Sequence, residues 1–425
     1  MILRLPSQTN RLLLVAMAFL FAVALSFFGI RAALAAHYVG LNTRAGFETA
    51  VRLEPNDPGT WYLLGRYWQY DPVETNIGKA IRAYRTSLGL NPLSADTWLD
   101  LASAYETEGE IDAARKAFLE AKHLYAVSAE VLWGYGNFLL RQNELESAFA
   151  EFHRAVEENP QLGAEAVRIC RHVEPDFDQI LYRVLPPKSD AYLYAMGELI
   201  KEADTTDALK VWSKLFDLHP KVHGREVIQF VDGLLRSQQT SDAARVWSQA
   251  VTLMDLPKMD DPAGSLIWDG GFETDVTGGG LAWRFGEHQN PVIGYDHNVM
   301  HSGLRALRLD FDQKNISGFV DVCQLVVVEP KTAYEFSAWL RTKDMAKEGG
   351  IFFRLAMPGL QASPVFETTK LLGTNEWTKV SMPWTSPDES RLAQVCLARS
   401  RAYDQHHGTT WVDDVSLLKL NSTTK

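Results

Sequence analysis

The chain of 425 residues is long enough for two or three domains, and its content of 46% hydrophobic and 22% charged residues excludes a disordered composition. A net charge of −11 argues against a general nucleic-acid binder, which needs a basic face. Three cysteines, Cys170, Cys323 and Cys396, are too few for a dense disulfide framework.

An apolar segment near the N-terminus predicts a membrane span. Residues 12–30 are 19 residues without a charge, and as a helix they extend about 28 Å, close to the ~30 Å hydrocarbon core. The preceding tail, residues 1–11, contains Arg4 and Arg11 but no acid, which favours the cytoplasmic side. We therefore expect a single-pass protein of the inner (plasma) membrane, with its bulk outside the cytoplasm and periplasmic in a Gram-negative cell.

Two other interpretations of this segment stay open. Ala33-Leu34-Ala35 has the pattern of a signal-peptide cleavage site, so the segment is also compatible with a cleaved secretory signal. A buried soluble helix is disfavoured, because the segment has no polar face. An uncleaved anchor and a cleaved signal both predict that the rest of the chain lies outside the cytoplasm.

Residues 38–256 show a repeating pattern of small and large side chains. Positions that lie 34 residues apart match in size: Trp98 with Leu132, Ala114 with Ala148, and Phe118 with Phe152. A shared period of 34 indicates stacked helix pairs. Trp61, Leu64 and Gly65 supply the opening W-x-x-L-G, and the pattern resembles the tetratricopeptide repeat. The resemblance implies an all-α superhelix that binds protein partners.

The inner positions of these helices are candidates for a protein-binding groove. They are Tyr62, Arg66, Ser103, Trp133 and Asn137. A clamp for a peptide carboxylate, known in some tetratricopeptide domains, requires lysine and asparagine, and only Asn137 suits that role. The aromatic residues instead favour a partly apolar groove. Packing within the superhelix is the alternative for them.

The periodicity changes at residues 257–264, which we interpret as a linker. Short alternating runs bounded by Gly, Asn, Asp and Pro follow over residues 265–420, and residues 421–425 form a tail. Many short strands with polar turns predict an antiparallel sandwich. Its segments, Asp269 to Glu273, His301-Ser302-Gly303 and Trp411 to Val415, resemble calcium-containing jelly-roll carbohydrate-binding modules, which have a galactose-binding-like fold.

That resemblance implies a structural calcium that joins the first segment of the sandwich to the last strand. Carried over to this sequence, Glu273 and Asp414 are the candidate carboxylate ligands, with backbone carbonyls near Thr274 and His301. Hard oxygen ligands suit calcium. The alternative is that Glu273 and Asp414 only cap turns or pair with arginines.

Glycan binding requires aromatic rings on an open face. The candidates are Trp283, Phe285, Tyr295 and Trp384, with a place in the core as the alternative for each, while Trp339, Trp377 and Trp411 are expected in the core. No pair of acids stands out as a glycosidase acid and nucleophile. We therefore expect no enzyme activity. Whether Cys323 and Cys396 form a disulfide is left open.

Together these features predict a membrane-anchored extracytoplasmic scaffold. Its repeats bind protein partners, and its jelly roll is a candidate glycan-binding module for assembly or export of a surface polysaccharide. The architecture resembles bacterial envelope proteins of this kind. The alternative is an enzyme accessory subunit or a cryptic carbohydrate-active hydrolase.

Overall fold

A computed structural model describes residues 8–254, 256, 262–286, 291–311, 319–345, 350–358, 365–388, 391–399 and 407–420. The predicted tail 421–425 and most of the predicted linker 257–264 lie outside these residues, as do residues 1–7. The chain divides into two compact units, one of residues 1–162 and 169–186 and the other of residues 163–168 and 187–425. The predicted fold class is confirmed: an apolar N-terminal helix, a helical repeat region and an all-β sandwich.

The first unit is helical. Its helices are α1 (Gln8–Gly40), α2 (Arg44–Leu53), α3 (Pro58–Tyr70), α4 (Ile77–Leu90), α5 (Ala95–Glu108), α6 (Ile111–Leu124), α7 (Ala129–Arg141), α8 (Leu145–Glu158) and α10 (Phe177–Arg183), while α9 (Leu162–Cys170) spans the division between the units.

The 34-residue period is visible in the helix starts. Helix α5 begins after Ser94 and α7 after Ser128, and each serine side chain accepts a hydrogen bond from the backbone amide three residues later. This N-cap stabilises the first turn of each helix. Small residues on the facing helices, such as Ala114 and Ala148, are fully buried, so the paired helices approach closely.

The second unit contains helices and the sandwich. Its helices are α11 (Ser189–Lys201), α12 (Thr205–Asp217), α13 (Gly224–Arg236) and α14 (Thr240–Leu253). Its strands are β1 (Arg284–Phe285), β2 (Val292–Asp296), β3 (Ala306–Phe311), β4 (Phe319–Val327), β5 (Ala333–Met345), β6 (Ile351–Ala356), β7 (Phe366–Glu367), β8 (Gly373–Thr385), β9 (Leu392–Arg399) and β10 (Gly408–Lys419).

The strands form two five-stranded antiparallel sheets. The first sheet has the order β1-β4-β9-β6-β7 and the second has the order β2-β3-β10-β5-β8. Alternate side chains such as Phe336 and Leu340 of β5 and Phe353 of β6 meet in one apolar core between the sheets. The first segment of the sandwich lies beside its last strand, since the Val415 amide donates to the Gly270 carbonyl at 2.9 Å.

Candidate functional site

Two carboxylates border Gly271, where the first segment of the sandwich contacts strand β10. Asp413 Oδ1 and Glu273 Oε1 lie 3.7 and 3.9 Å from the position that a Cβ on Gly271 would take. The Glu273 carboxylate accepts a hydrogen bond from the Leu304 amide at 2.8 Å. Gly303 has φ +62°, and a side chain there would overlap Glu273, so only glycine fits this close approach.

The acid beside Glu273 is Asp413, not the predicted Asp414. Asp414 instead contacts the His301 ring at 2.5 Å and accepts a hydrogen bond from the Ser302 hydroxyl at 2.6 Å. The reason is a break in the register of β10 between Asp413 and Ser416, with Asp414 at φ +47°. At this break Asp413, and not Asp414, borders Gly271 together with Glu273. Of the other predicted ligands, Thr274 donates its hydroxyl hydrogen to Asp269 at 2.8 Å.

Asp413 is fully buried, and no basic side chain among the described residues forms an ion pair with it. Its carboxylate accepts hydrogen bonds from the amides of His301 at 2.8 Å and Ser302 at 3.1 Å. Burial raises the pKa of Asp413 to about 7, and the backbone hydrogen bonds offset part of that effect. A cation at this position would favour the ionised carboxylate.

Two of the four predicted glycan-binding aromatic residues belong to the core. Trp283 is 1% exposed, stacks on Phe272 and donates its indole hydrogen to the Asp269 carbonyl at 2.9 Å. Trp384 is also buried and stacks on Tyr334. Neither ring has an open face, so the alternative interpretation applies to both.

Phe285 and Tyr295, the other two, line one pocket of about 540 Å³. Phe285 lies on β1 at the edge of the first sheet and Tyr295 on β2 at the edge of the second sheet, so the pocket opens where the two edges meet. Asp275 contributes a carboxylate to the lining. The Arg305 guanidinium covers one face of the Tyr295 ring at 3.8 Å and pairs with Asp275 at 2.8 Å.

Three tryptophans that were expected in the core lie on the outer face of the second sheet. Trp339 stacks on the His301 ring at 3.9 Å, and Trp377 contacts the same ring edge-on at 5.6 Å. Trp411 lies between the Arg308 and Arg341 guanidinium groups. Their strand neighbours of the opposite parity, such as Leu340 and Val412, fill the core instead. The expectation was therefore wrong for Trp339 and Trp377, which are only half-buried, whereas Trp411 is buried as expected, outside the core between the sheets.

Three of the predicted groove residues lie around one partly buried acid of the repeats, Asp100. Tyr70 donates to Asp100 at 3.1 Å, and the Arg66 guanidinium lies 3.6 Å from the same carboxylate and over the Tyr62 ring. Burial raises the pKa of Asp100, an effect that the tyrosine hydroxyls and Arg66 partly offset. Ser103 accepts a hydrogen bond at 3.3 Å from the Gln69 side chain, which in turn accepts one from the Tyr84 hydroxyl at 2.7 Å.

The other two groove residues lie one repeat further along, on α7. The Trp133 ring packs on Phe152 at 4.8 Å and stays half-buried, and the Asn137 amide donates to the Trp133 carbonyl. A separate pocket of about 400 Å³ is lined by Arg66, Tyr70 and Phe47. The groove therefore presents aromatic rings, one arginine and one partly buried carboxylate.

Sequence reasoning missed Asp100 and Asp413 and left the cysteines open. Asp100 lies three residues before the predicted groove residue Ser103 on α5, and this helical spacing was the available signal. Cys323 and Cys396 lie directly opposite each other on β4 and β9 and form a disulfide. Cys170 is buried with a free thiol.

The sequence model of the tetratricopeptide repeat family matches residues 75–129. Among curated proteins, the chain is 26% identical over 162 residues to the tRNA nuclease WapA of Bacillus subtilis strain 168. The aligned region covers 36% of this chain and 7% of that protein. It is similarly 26% identical over 162 residues to the tRNA(Glu)-specific nuclease WapA of Bacillus subtilis subsp. natto. The chain therefore spans less than a tenth of the length of these relatives.

Similar solved structures include both kinds of domain. A family 16 carbohydrate-binding module matches with 18% identity and a TM-score of 0.28, over 36% of this chain and 99% of the module. YrrB, a tetratricopeptide repeat protein with an unusual peptide-binding site, matches with 14% identity and a TM-score of 0.26, over 49% of this chain and 91% of YrrB. The chain combines tetratricopeptide repeats with a C-terminal all-β sandwich, as its sequence predicts.

Proposed function

We propose that this protein is a membrane-anchored extracytoplasmic scaffold that binds protein through its repeats and glycan through its sandwich. It acts by binding, without catalysis of its own, in the assembly or export of a surface polysaccharide. The observation that carries the glycan part is the pocket in which Phe285 and Tyr295 meet at the edges of the two sheets.

The lining of this pocket has the chemistry that sugars require. Ring faces pack against the C–H groups of a sugar, and a carboxylate accepts hydrogen bonds from its hydroxyl groups. Arg305 holds one face of Tyr295 and is itself fixed by the Phe272 carbonyl at 2.6 Å, so the tyrosine is held in place before any ligand binds. Such preorganisation lowers the entropy cost of binding.

Binding of oligosaccharides to the full chain in detergent, measured by calorimetry after an array screen, tests the glycan proposal. Tyr295→Ala should weaken binding about tenfold, which corresponds to ~1.4 kcal/mol, whereas Tyr295→Phe keeps the ring and should bind as the parent protein does. Tyr194→Ala removes an exposed tyrosine of α11 in the same unit and is the matched control. Equal binding by all variants would contradict the pocket assignment.

For the repeats, the aromatic groove around Asp100 is the proposed contact for a peptide segment of the partner. Arg66 and Asp100 offer one donor group and one acceptor group beside the Tyr62 and Tyr70 rings. We expect Tyr62→Ala to reduce the recovery of partner proteins in pull-downs from membranes. Tyr182→Ala removes an exposed tyrosine of α10 and should leave that recovery unchanged.

Calcium is the proposed structural ion of the sandwich. The donor set fits, because Asp413 is a buried carboxylate with Glu273 beside it, and both are hard oxygen ligands. Among the described residues, no group of three or more His, Cys, Asp or Glu side chains is placed to hold a metal ion, so backbone carbonyls and water would complete the coordination. The ion would neutralise the two carboxylates and join the first segment to β10.

The membrane part of the proposal is supported by α1 and by the disulfide. The segment from Arg11 to Gly40 is a helix long and apolar enough to cross a membrane, and its most apolar part is not buried in the protein. Membrane anchors and signal sequences share this length and composition. The Cys323–Cys396 disulfide favours an oxidising compartment, in agreement with the proposed extracytoplasmic location of the sandwich.

A further inference from the structure

The turns between successive repeats form a continuous edge of the first unit. This inter-repeat edge consists of residues 54–57, 91–94 and 125–128, each of which joins the second helix of one pair to the first helix of the next. The turns are linked side by side. The Ser87 hydroxyl, near the end of α4, donates to the Pro58 carbonyl at 2.8 Å, and the Tyr125 hydroxyl donates to the Leu93 carbonyl at 3.2 Å.

Helix α1 leaves the repeats at this same edge. Its Arg31 donates to the Leu53 carbonyl at 3.0 Å and lies 3.5 Å from Glu54, at the C-terminal end of α2. The start of α2 is at the opposite edge, where Arg44 lies 3.5 Å from Glu74 in the turn between α3 and α4. Helices α1 and α2 are therefore antiparallel, and residues 12–30 project beyond the inter-repeat edge.

The inter-repeat edge carries exposed apolar side chains. Leu93 is 63% exposed and Val127 is 69% exposed, in adjacent turns, and Leu90 and Tyr125 beside them are also exposed. Neighbouring apolar side chains in water are unfavourable and mark a surface that contacts something else. Because residues 12–30 span about 28 Å as a helix, a bilayer that encloses them begins at the level of Arg31 and thus at this edge.

We propose that the inter-repeat edge rests on the bilayer surface, with Leu93 and Val127 inserted among the lipid headgroups. This inference depends on the proposed membrane anchoring by α1 and adds a second, peripheral contact to it. Apolar and aromatic side chains commonly occupy this interfacial layer, where a tyrosine such as Tyr125 has an apolar ring and a polar hydroxyl. Two membrane contacts would fix the orientation of the repeats, which a single helix cannot do.

Lipid-attached quenchers test the proposal on the full chain. Single variants Leu93→Cys and Val127→Cys are labelled with a thiol-reactive fluorophore and reconstituted into phosphatidylcholine and phosphatidylglycerol vesicles. The native thiols do not interfere, because Cys170 is buried and Cys323 and Cys396 are bridged. Val73→Cys is the matched control, since Val73 is an apolar residue, 87% exposed, in the turn at the opposite edge.

We expect quenchers in the upper acyl chain to reduce the fluorescence at positions 93 and 127 about twofold, as for side chains that reach roughly 5–10 Å into the interface, and to leave position 73 unchanged. Flotation of the vesicles reports anchoring separately. Protein that floats but shows equal quenching at all three positions would overturn the proposal and leave the anchor intact.

Protein that fails to float would overturn both the anchor and the inference. A spectral change at positions 93 and 127 that grows with the ratio of protein to lipid, without a response to the quencher, would show that a second copy of the chain covers the edge. That result would also overturn the proposal.

Discussion

The Asp232 carboxylate of α13 lies 2.7 Å from the Arg284 guanidinium of β1, and the same carboxylate oxygen accepts a hydrogen bond from the Gly280 amide at 2.9 Å. Close by, the Trp247 ring of α14 meets the Trp268 ring edge-on. Within the second unit, the last helix pair is thus packed directly on the sandwich. The predicted change of domain at residues 257–264 marks the change of secondary structure, but the compact unit includes α11 to α14.

Asp232→Ala should therefore destabilise the sandwich as well as the helices. The substitution removes the acceptor of the Gly280 amide and the ion pair of Arg284, which keeps only the Gly280 carbonyl, and this should cost about 1–2 kcal/mol for a partly exposed pair. Asp242→Ala, which removes an exposed i,i+3 pair with Arg245 on α14, is the control and should change stability by less than about 0.5 kcal/mol. Thermal unfolding of the full chain measures both, and equal effects would show that the Asp232 contact contributes nothing specific.

Two glycines of α7 should respond in opposite ways to the same substitution. A Cβ on Gly136 would lie 2.8 Å from Phe152 Cε1, so Gly136→Ala should overpack this crossing and destabilise the repeats by about 1–2 kcal/mol. A Cβ on Gly134 would meet only ordinary contacts at 3.5 and 3.6 Å, so Gly134→Ala should stabilise the helix by up to ~1 kcal/mol. Denaturant unfolding measures the free energy of unfolding of both variants. A higher value for both than for the parent protein would contradict the close helix crossing at Gly136.

The repeats could be predicted from the sequence because their signal is local and periodic. The match of Ala114 with Ala148 at 34 residues sets the register, and the caps Ser94 and Ser128 follow it. The packing of α13 and α14 on the sandwich could not be predicted. It depends on Asp232 and Arg284, which are distant in sequence and belong to no motif.

The aromatic residues of the sandwich show where alternation gives too little information. A strand pattern separates two faces, but it does not say which of two aromatic residues lies inside. In β5, Trp339 has the same parity as the exposed Glu335, which was a usable signal for the outer face. The exchange between Asp413 and Asp414 had no such signal, because the break in β10 is a backbone feature that composition does not encode.

Acidic residues in the apolar helix should abolish membrane anchoring. Each aspartate near the centre of a span costs about 2.5–3.5 kcal/mol on insertion scales, so the double variant Ala22→Asp and Ala24→Asp should leave the membrane fraction. Leucine at both positions is the control and should be retained. Mass spectrometry of the native protein adds a second check, since a mature chain that begins after Ala35 would contradict the anchor and support a cleaved signal.

Asp413 should make the stability of the cation-free protein depend on pH. Its pKa is about 7 in the folded state, well above the usual carboxyl value of about 3.9, so between these values the folded state holds a proton that the unfolded state has lost. In excess chelator, stability should therefore fall as the pH rises from about 4 to 7, by at most ~1.4 kcal/mol per pH unit. Thermal unfolding of the full chain across this range measures the slope.

Calcium should remove that loss, because the ion replaces the proton on Asp413 and stabilises only the folded state. At pH 7.5 the parent protein should melt higher in excess calcium than in chelator. Asp413→Asn should show neither the pH slope nor the calcium response, because its amide carries no ionisable group. The amide oxygen can still accept hydrogen bonds from the His301 and Ser302 amides, so the fold should be retained. Asp414→Asn leaves both proposed ligands in place and should keep the calcium response. If the parent protein melts at the same temperature in calcium and in chelator, Glu273 and Asp413 have only the structural roles that their backbone hydrogen bonds describe.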